Sequence, residues 1–250
     1  MNADARALLT GAIDYAGLFP PAALSLEQAK ANYRRYRASP DAWALGRFVV
    51  PVAQLPELHE EVRREGWKLA VTLPAGYTGP LPESVDVVEI PARSEDEIRT
   101  LAARFRPALL YCEIDPAAHN LDELAAAAKL VGARAKLRTG GIRAEQIPAS
   151  DLVLRFLDAC RRHQLPFKAT AGLHHALRGR YSLTYAPDSP TAVMHGYANL
   201  AAAVVDPAEL ACEDPAALER LLRTGAGARS LFVSFGSCSF EEPLQCITCR

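Results

Sequence analysis

Eight short runs rich in apolar, β-branched and aromatic residues recur along this chain with helical patterns between them, and no other feature restricts its fold as tightly. The runs cover residues 12–19, 46–52, 67–73, 85–90, 108–114, 133–138, 166–172 and 230–235. Strands joined by helix-length crossovers must lie parallel, and a parallel sheet is buried on both faces. Eight such units in 250 residues predict a single (β/α)8 TIM-like barrel over residues 1–250, with a doubly wound open parallel sheet as the alternative.

The helical patterns carry their own punctuation. Ser25, Ser94, Asn120 and Ser150 precede amphipathic stretches as N-caps, Pro56 opens another, and Gly66 and Gly132 follow two of them as terminators. Two connections depart from the rhythm. Residues 74–84 have no helical pattern, and residues 173–229 form a long excursion in which helices are expected at 191–205 and 215–224. Within it the polar, turn-rich stretch 178–190 suits a lid, while residues 238–250 read as a tail.

Alternation along each strand assigns side chains to the barrel interior or to the helix layer. Residues 133–138 place Ala135 and Leu137 on one side and Arg134, Lys136 and Arg138 on the other. The same split sets Lys168 and Thr170 against Phe167 and Ala169, Tyr111 and Glu113 against Leu110 and Cys112, and Glu89 against Val88 and Ile90. The polar members are expected to face inward. Buried charges are costly unless compensated, so neighbouring strands that each aim one at the axis imply a compensated lattice, an active site, or both. Lys136 and Lys168 occupy equivalent places on adjacent strands, which is expected to lower a lysine pKa and free a nucleophilic amine, with Lys168 as nucleophile.

After Lys136 the sequence reads RTGGIRAE. Arg138, Thr139, Gly140 and Gly141 there are candidates for gripping an anion, the glycines through backbone N–H groups at a helix start. KLRTGGIRAE and FKATAG resemble the two lysine-bearing strands of the deoxyribose-phosphate aldolase family, in reversed chain order. Lys168, Thr170, Ala171 and Gly172 match the Schiff-base strand, and Lys136, Gly140, Gly141, Ile142 and Arg143 the other. The resemblance implies a class I aldolase-like lyase.

Other polar residues join the candidates. His174 and His175 follow the seventh run, and His195 and Asn199 are expected one helical turn apart over the mouth. Either tandem histidine suits a general acid/base. With His195 and Glu113 the pair also forms an alternative ligand set for a divalent metal such as zinc. Asp14 in the first run either joins the interior charges or caps an element. Gly236 and Ser237, just after the eighth, are expected as anion ligands by analogy with other barrels.

Composition narrows the partners. A formal net charge of −1 and 23% charged residues give no footprint for nucleic acid or an anionic membrane, so the expected partner is a small anionic molecule. No apolar stretch has the roughly 18 residues of a spanning helix, and residues 1–17 lack a secretory pattern, which predicts a cytoplasmic protein. Cysteines 112, 160, 212, 238, 246 and 249 show no disulfide framework, and the C-x2-C of Cys246 and Cys249 with Cys238 is an incomplete metal set.

Three readings stay open. The first is a lysine Schiff-base enzyme of aldolase or lyase type, acting on a small phosphorylated or carboxylated carbonyl compound without a cofactor. The second is a metal-dependent hydrolase or lyase using the histidines and Glu113, and the third a non-catalytic anion-binding barrel. A homo-oligomer is compatible with each.

Overall fold

The computed structural model describes residues 2–248, and within them eight strands close into one parallel barrel. Strands β1 (Ile13–Tyr15), β2 (Leu45–Pro51), β3 (Leu69–Thr72), β4 (Val87–Pro91), β5 (Leu109–Glu113), β6 (Arg134–Arg138) and β7 (Phe167–Thr170) are neighbours in chain order. A separate antiparallel hairpin follows, β8 (Gly179–Ser182) with β9 (Thr191–Met194), before β10 (Phe232–Ser237) completes the ring between β7 and β1. Asp14 registers with Gly236 where first and last strands meet, so the open-sheet alternative does not hold.

Helices surround the barrel: α1 (Ala3–Leu9), α2 (Leu26–Arg37), α3 (His59–Glu65), α4 (Glu95–Arg104), α5 (Leu121–Leu130), α6 (Ser150–Arg162), α7 (Tyr197–Ala203), α8 (Leu218–Gly227) and α9 (Glu241–Thr248). Local chemistry explains several of their ends. Ser25 and Gln28 form a reciprocal capping box at α2, Ser94 accepts from the Glu97 N–H at α4, and Gly66 closes α3 in the left-handed region. Asn120 stands at the N-cap of α5 without a capping hydrogen bond, and Ser150 is the first helical residue of α6, one place inside its expected position.

The helix layer is held by apolar contact. Tyr15, Tyr33, Phe48 and Trp67 form a chain of stacked and edge-on rings between β1, α2, β2 and the start of β3. Burying each such ring is worth about 2–3 kcal/mol before entropy. No helix bridges β3 and β4, as expected from residues 74–84.

Three segments depart from expectation. Residues 191–205 are not one helix: Thr191, Ala192, Val193 and Met194 alternate outward and inward and pair with β8, leaving only Tyr197–Ala203 helical. The stretch 178–190 is therefore a hairpin. The expected tail holds α9, whose Leu244 is buried, while Cys249 lies outside the described residues. Finally, α1 was unforeseen. Asn2 caps it, and its Leu8 and Leu9 are buried. Among the described residues no helix is long and apolar enough to cross a membrane.

Candidate active site

Inside the barrel the alternation holds. Val49, Ala70, Val87 and Tyr111 form a small apolar layer, and the next inward residues of β1, β4, β5, β6 and β7 are all charged. They make one chain of alternating sign. Lys168 Nζ donates to Asp14 Oδ2 and to Glu89 Oε1, each at 2.5 Å. Lys136 Nζ lies 2.9 Å from Glu89 Oε2 and 2.8 Å from Glu113 Oε2. Glu89 thus stands between two ammonium groups, and the sequence Asp14–Lys168–Glu89–Lys136–Glu113 runs from β1 across the interior to β5.

The buried end is saturated. Asp14 also accepts from the Arg47 N–H at 2.8 Å and the Ser234 hydroxyl at 3.0 Å, so it belongs to the interior network and caps nothing. Lys168 is 1% exposed, and its Nζ lies 5.7 Å from the centroid of the Tyr111 ring, a further cation contact. Burial alone would drive its proton off, but the charges of Asp14 and Glu89 outweigh it and hold the ammonium pKa above its usual value. The same contest raises Lys136, where Glu89 and Glu113 overcome burial. Burial would likewise push the Glu89 carboxyl up, yet Lys136 and Lys168 bring it down to about 2.

These directions correct the expectation that Lys136 lowers the pKa of Lys168. The two lysines do register side by side, but each is approached by two carboxylates, and attraction at 2.5–2.9 Å exceeds repulsion between strands. Lys168 is a buried ion-pair centre, and it does not line the cavity at the barrel mouth.

Lys136 does. A cavity of about 410 Å3 opens at the C-terminal ends of the strands, where barrels assemble their sites. Its polar lining includes Glu89, Glu113, Lys136, Arg138, Thr170 and His174, and its apolar lining includes Phe19, Val49, Leu73 and Ile142. Glu89 Oε2, shut off from solvent, meets the Lys136 ammonium at the cavity floor. Glu113 and Arg138 also border an adjoining groove of about 680 Å3 with Arg93 and His119.

The glycine turn behaves differently from expectation. Gly141 lines the cavity, but Gly140 is packed against the turn after β7, where a Cβ would come within 3.2 Å of Ala171 O. No helix starts at these glycines; a single 310 turn at Ala144–Gln146 follows, and α6 begins only at Ser150. Thr139 donates its hydroxyl to Thr170 O and Ala171 O and so ties β6 to β7. It is a structural clasp. Gly236 borders the cavity beside Thr170.

The histidines diverge because the chain turns sharply after β7. Ala171 and Gly172 are both in the left-handed region, φ 68° and 76°, a conformation that costs about 1 kcal/mol for alanine. His174 then points at the cavity, with Nδ1 3.2 Å from both Ser237 Oγ and Glu242 Oε2. Burial would lower its pKa, but the contacts with Cys238 and Glu242 raise it to about 9. His175 stacks on Tyr181 at 3.6 Å between centroids, and burial with the neighbouring His174 charge lowers its pKa. His195 is buried, with Nε2 2.9 Å from Pro148 O and Nδ1 without a partner. Asn199 donates to Glu209 O and Cys212 O and accepts from the Arg178 N–H. It pins the excursion and does not face the mouth.

The alternative metal set is therefore not assembled: His174, His175, His195 and Glu113 have separate partners, and among the described residues no three His, Cys, Asp or Glu side chains gather as ligands. Sequence reasoning also missed two neighbours of His174. Cys238 shares inward parity with Ser234 and Gly236, a signal present in the sequence, whereas Glu242 depends on α9 folding back over the mouth.

No family model matches the chain, and no curated protein matches it. Among solved structures it is similar to a complete multifunctional pyruvate carboxylase from Rhizobium etli, with 13% identity and a TM-score of 0.38 over 88% of this chain and 19% of that one. A likeness that slight carries nothing about chemistry, and the barrel rests on this chain's own strand order.

Proposed function

We propose that this barrel is an enzyme acting on a small anionic carbonyl compound, a lyase of the aldolase type, and that Lys136 is the lysine that engages the carbonyl carbon. One observation carries the reading: Lys136 is the amine on the cavity lining, 2.8 Å from Glu113, whose carboxylate is partly open to the same space. That contact is a proton path. Transfer from the ammonium to Glu113 runs against the ion pairs that hold Lys136 charged and gives a neutral amine and a neutral acid; displacement of water from the mouth by substrate lowers its cost. The amine then adds to the carbonyl carbon, the carbinolamine loses water, and the resulting imine draws electrons from the adjacent C–C or C–H bond while Glu113 or His174 carries the proton.

The rest of the lining suits such a substrate. Arg138 and the His174 imidazolium offer two cationic sites for carboxylate or phosphate. Lys168 and Asp14 support the site from below by fixing Glu89.

A second reading follows from the raised pKa of Lys136. As a permanent ammonium it polarises the carbonyl oxygen without bonding to carbon, and Glu113 removes an α proton. Borohydride treatment with a pool of keto acids, aldehydes and sugar phosphates, followed by mass mapping, separates the two. A reduced adduct on Lys136, absent in Lys136→Ala and retained in Lys168→Met, is the expected result. An adduct on Lys168 would overturn the assignment. Solvent deuterium entering the substrate without any adduct would select the ammonium mechanism.

A further inference from the structure

The carbonyl chemistry above makes no use of the thiol on the opposite wall of the cavity. Cys238 is the first residue after β10, its side chain lines the same space as Lys136, and it is in no disulfide. Its surroundings are polar. The sulfur lies 3.9 Å from His174 Nε2, 4.0 Å from His174 Nδ1 and 3.4 Å from the Tyr185 hydroxyl at the hairpin tip. Sγ is thus nearly equidistant from the two ring nitrogens, the atoms over which an imidazolium spreads its charge. Glu242, 3.2 Å from Nδ1, supports that charge.

We propose that Cys238, with His174 and Glu242, is a second covalent centre of the barrel mouth, which takes small anionic electrophiles at sulfur. Three features favour it over the other described thiols. Cys112 and Cys160 are buried in apolar surroundings, and burial pushes the Cys112 thiol up to about 12. Cys212 is half buried, with the Arg220 guanidinium at 3.9 Å, and it lines none of the mouth. Cys246 lies 4.0 Å from His175 Nδ1 but does not line the mouth cavity. Among the described thiols, Cys238 is the one at which that cavity and a histidine–carboxylate pair coincide. The raised pKa of His174 agrees with an imidazolium held in place to face developing sulfur charge.

With an aldehyde the step balances without an oxidant. Sulfur as the thiolate forms the S–C bond, the carbonyl π pair moves to oxygen, and the His174 imidazolium gives that oxygen its proton, leaving a hemithioacetal and a neutral imidazole. Aldehydes held at sulfur occupy the cavity facing Lys136, so the centre competes with the carbonyl site for the same space.

Iodoacetate and iodoacetamide test this on the full chain. Sulfur displaces iodide from either, the S–C bond replaces C–I, and the thiol proton is lost to solvent. Peptide mass mapping reads the rate at each cysteine. Cys238 is expected to react about tenfold faster than Cys212 and to prefer the anionic reagent. His174→Gln is expected to slow Cys238 about tenfold and remove the preference; should that variant fail to fold, Glu242→Gln carries the same expectation at smaller size. Alkylation at sulfur involves no imine, so its outcome stands apart from the borohydride mapping of Lys136. Equal labelling of Cys238 and Cys212, or a His174→Gln protein that labels as fast as the parent, would overturn the proposal.

Discussion

Replacing Glu89 with glutamine tests the interior charge chain at its centre. The carboxylate stands between Lys136 and Lys168, with its side chain fully buried, and its pKa of about 2 lies about 2.5 units below the reference of 4.5. At 1.36 kcal/mol per unit that difference corresponds to about 3 kcal/mol. The sign is that of a depressed carboxylate: the contribution is complete above pH about 4.5 and is lost as pH falls toward about 2. Glutamine keeps the shape and one acceptor, but its amide N–H2 then faces an ammonium, and two lysines in register lose the anion between them. Removing one partner from a buried ion pair costs about 3–5 kcal/mol, which agrees with the linkage figure. Urea unfolding followed by circular dichroism at pH 7 should place Glu89→Gln about 3–5 kcal/mol below the parent, a large share of a typical total of about 5–15 kcal/mol. The gap should narrow steadily between pH 4.5 and 2 as the parent's own Glu89 is protonated. A gap under about 1 kcal/mol at pH 7, or one that does not narrow in acid, would refute the assignment of Glu89 as the bridging anion.

Other consequences follow from the same geometry. Lys168→Met should destabilise by about 3–5 kcal/mol in thermal or urea unfolding because it strands Asp14 and half of Glu89, and Asp14→Asn in the same chain should restore part of that loss. His174, raised from 6.5 to about 9, contributes stability that is complete below pH 6.5 and lost as pH rises through about 9. A pH series of melting temperatures should show this decline in the parent and a flatter profile in His174→Gln. Ser25→Ala should cost about 1 kcal/mol, measured by urea unfolding, through loss of the α2 capping box, with no change in cysteine labelling.

Much of this arrangement was legible in the sequence. Period-two alternation in short strands decides which side chains meet the axis, so Glu89, Glu113, Lys136 and Lys168 were identifiable as inward residues, and eight strand–helix units left few alternatives to a closed barrel. Helix limits at Ser25, Ser94 and Gly66 were equally local, because a cap depends on residues within one turn. Partnership across the interior was not local. Lys136 and Lys168 read as mutually repelling neighbours along the sheet, but Glu89 reaches both and Asp14 reaches Lys168 from β1, so only the closed ring decided that both pKa values rise. The tandem histidines depended on the turn at Ala171 and Gly172, and the company of Cys238 depended on α9 folding back over the mouth. Alternation is a property of neighbouring peptide units, whereas the energy of a buried charge depends on distances between residues far apart in the chain. That is why the sequence by itself determined which side chains turn inward, and the tertiary structure alone decided which charges they meet.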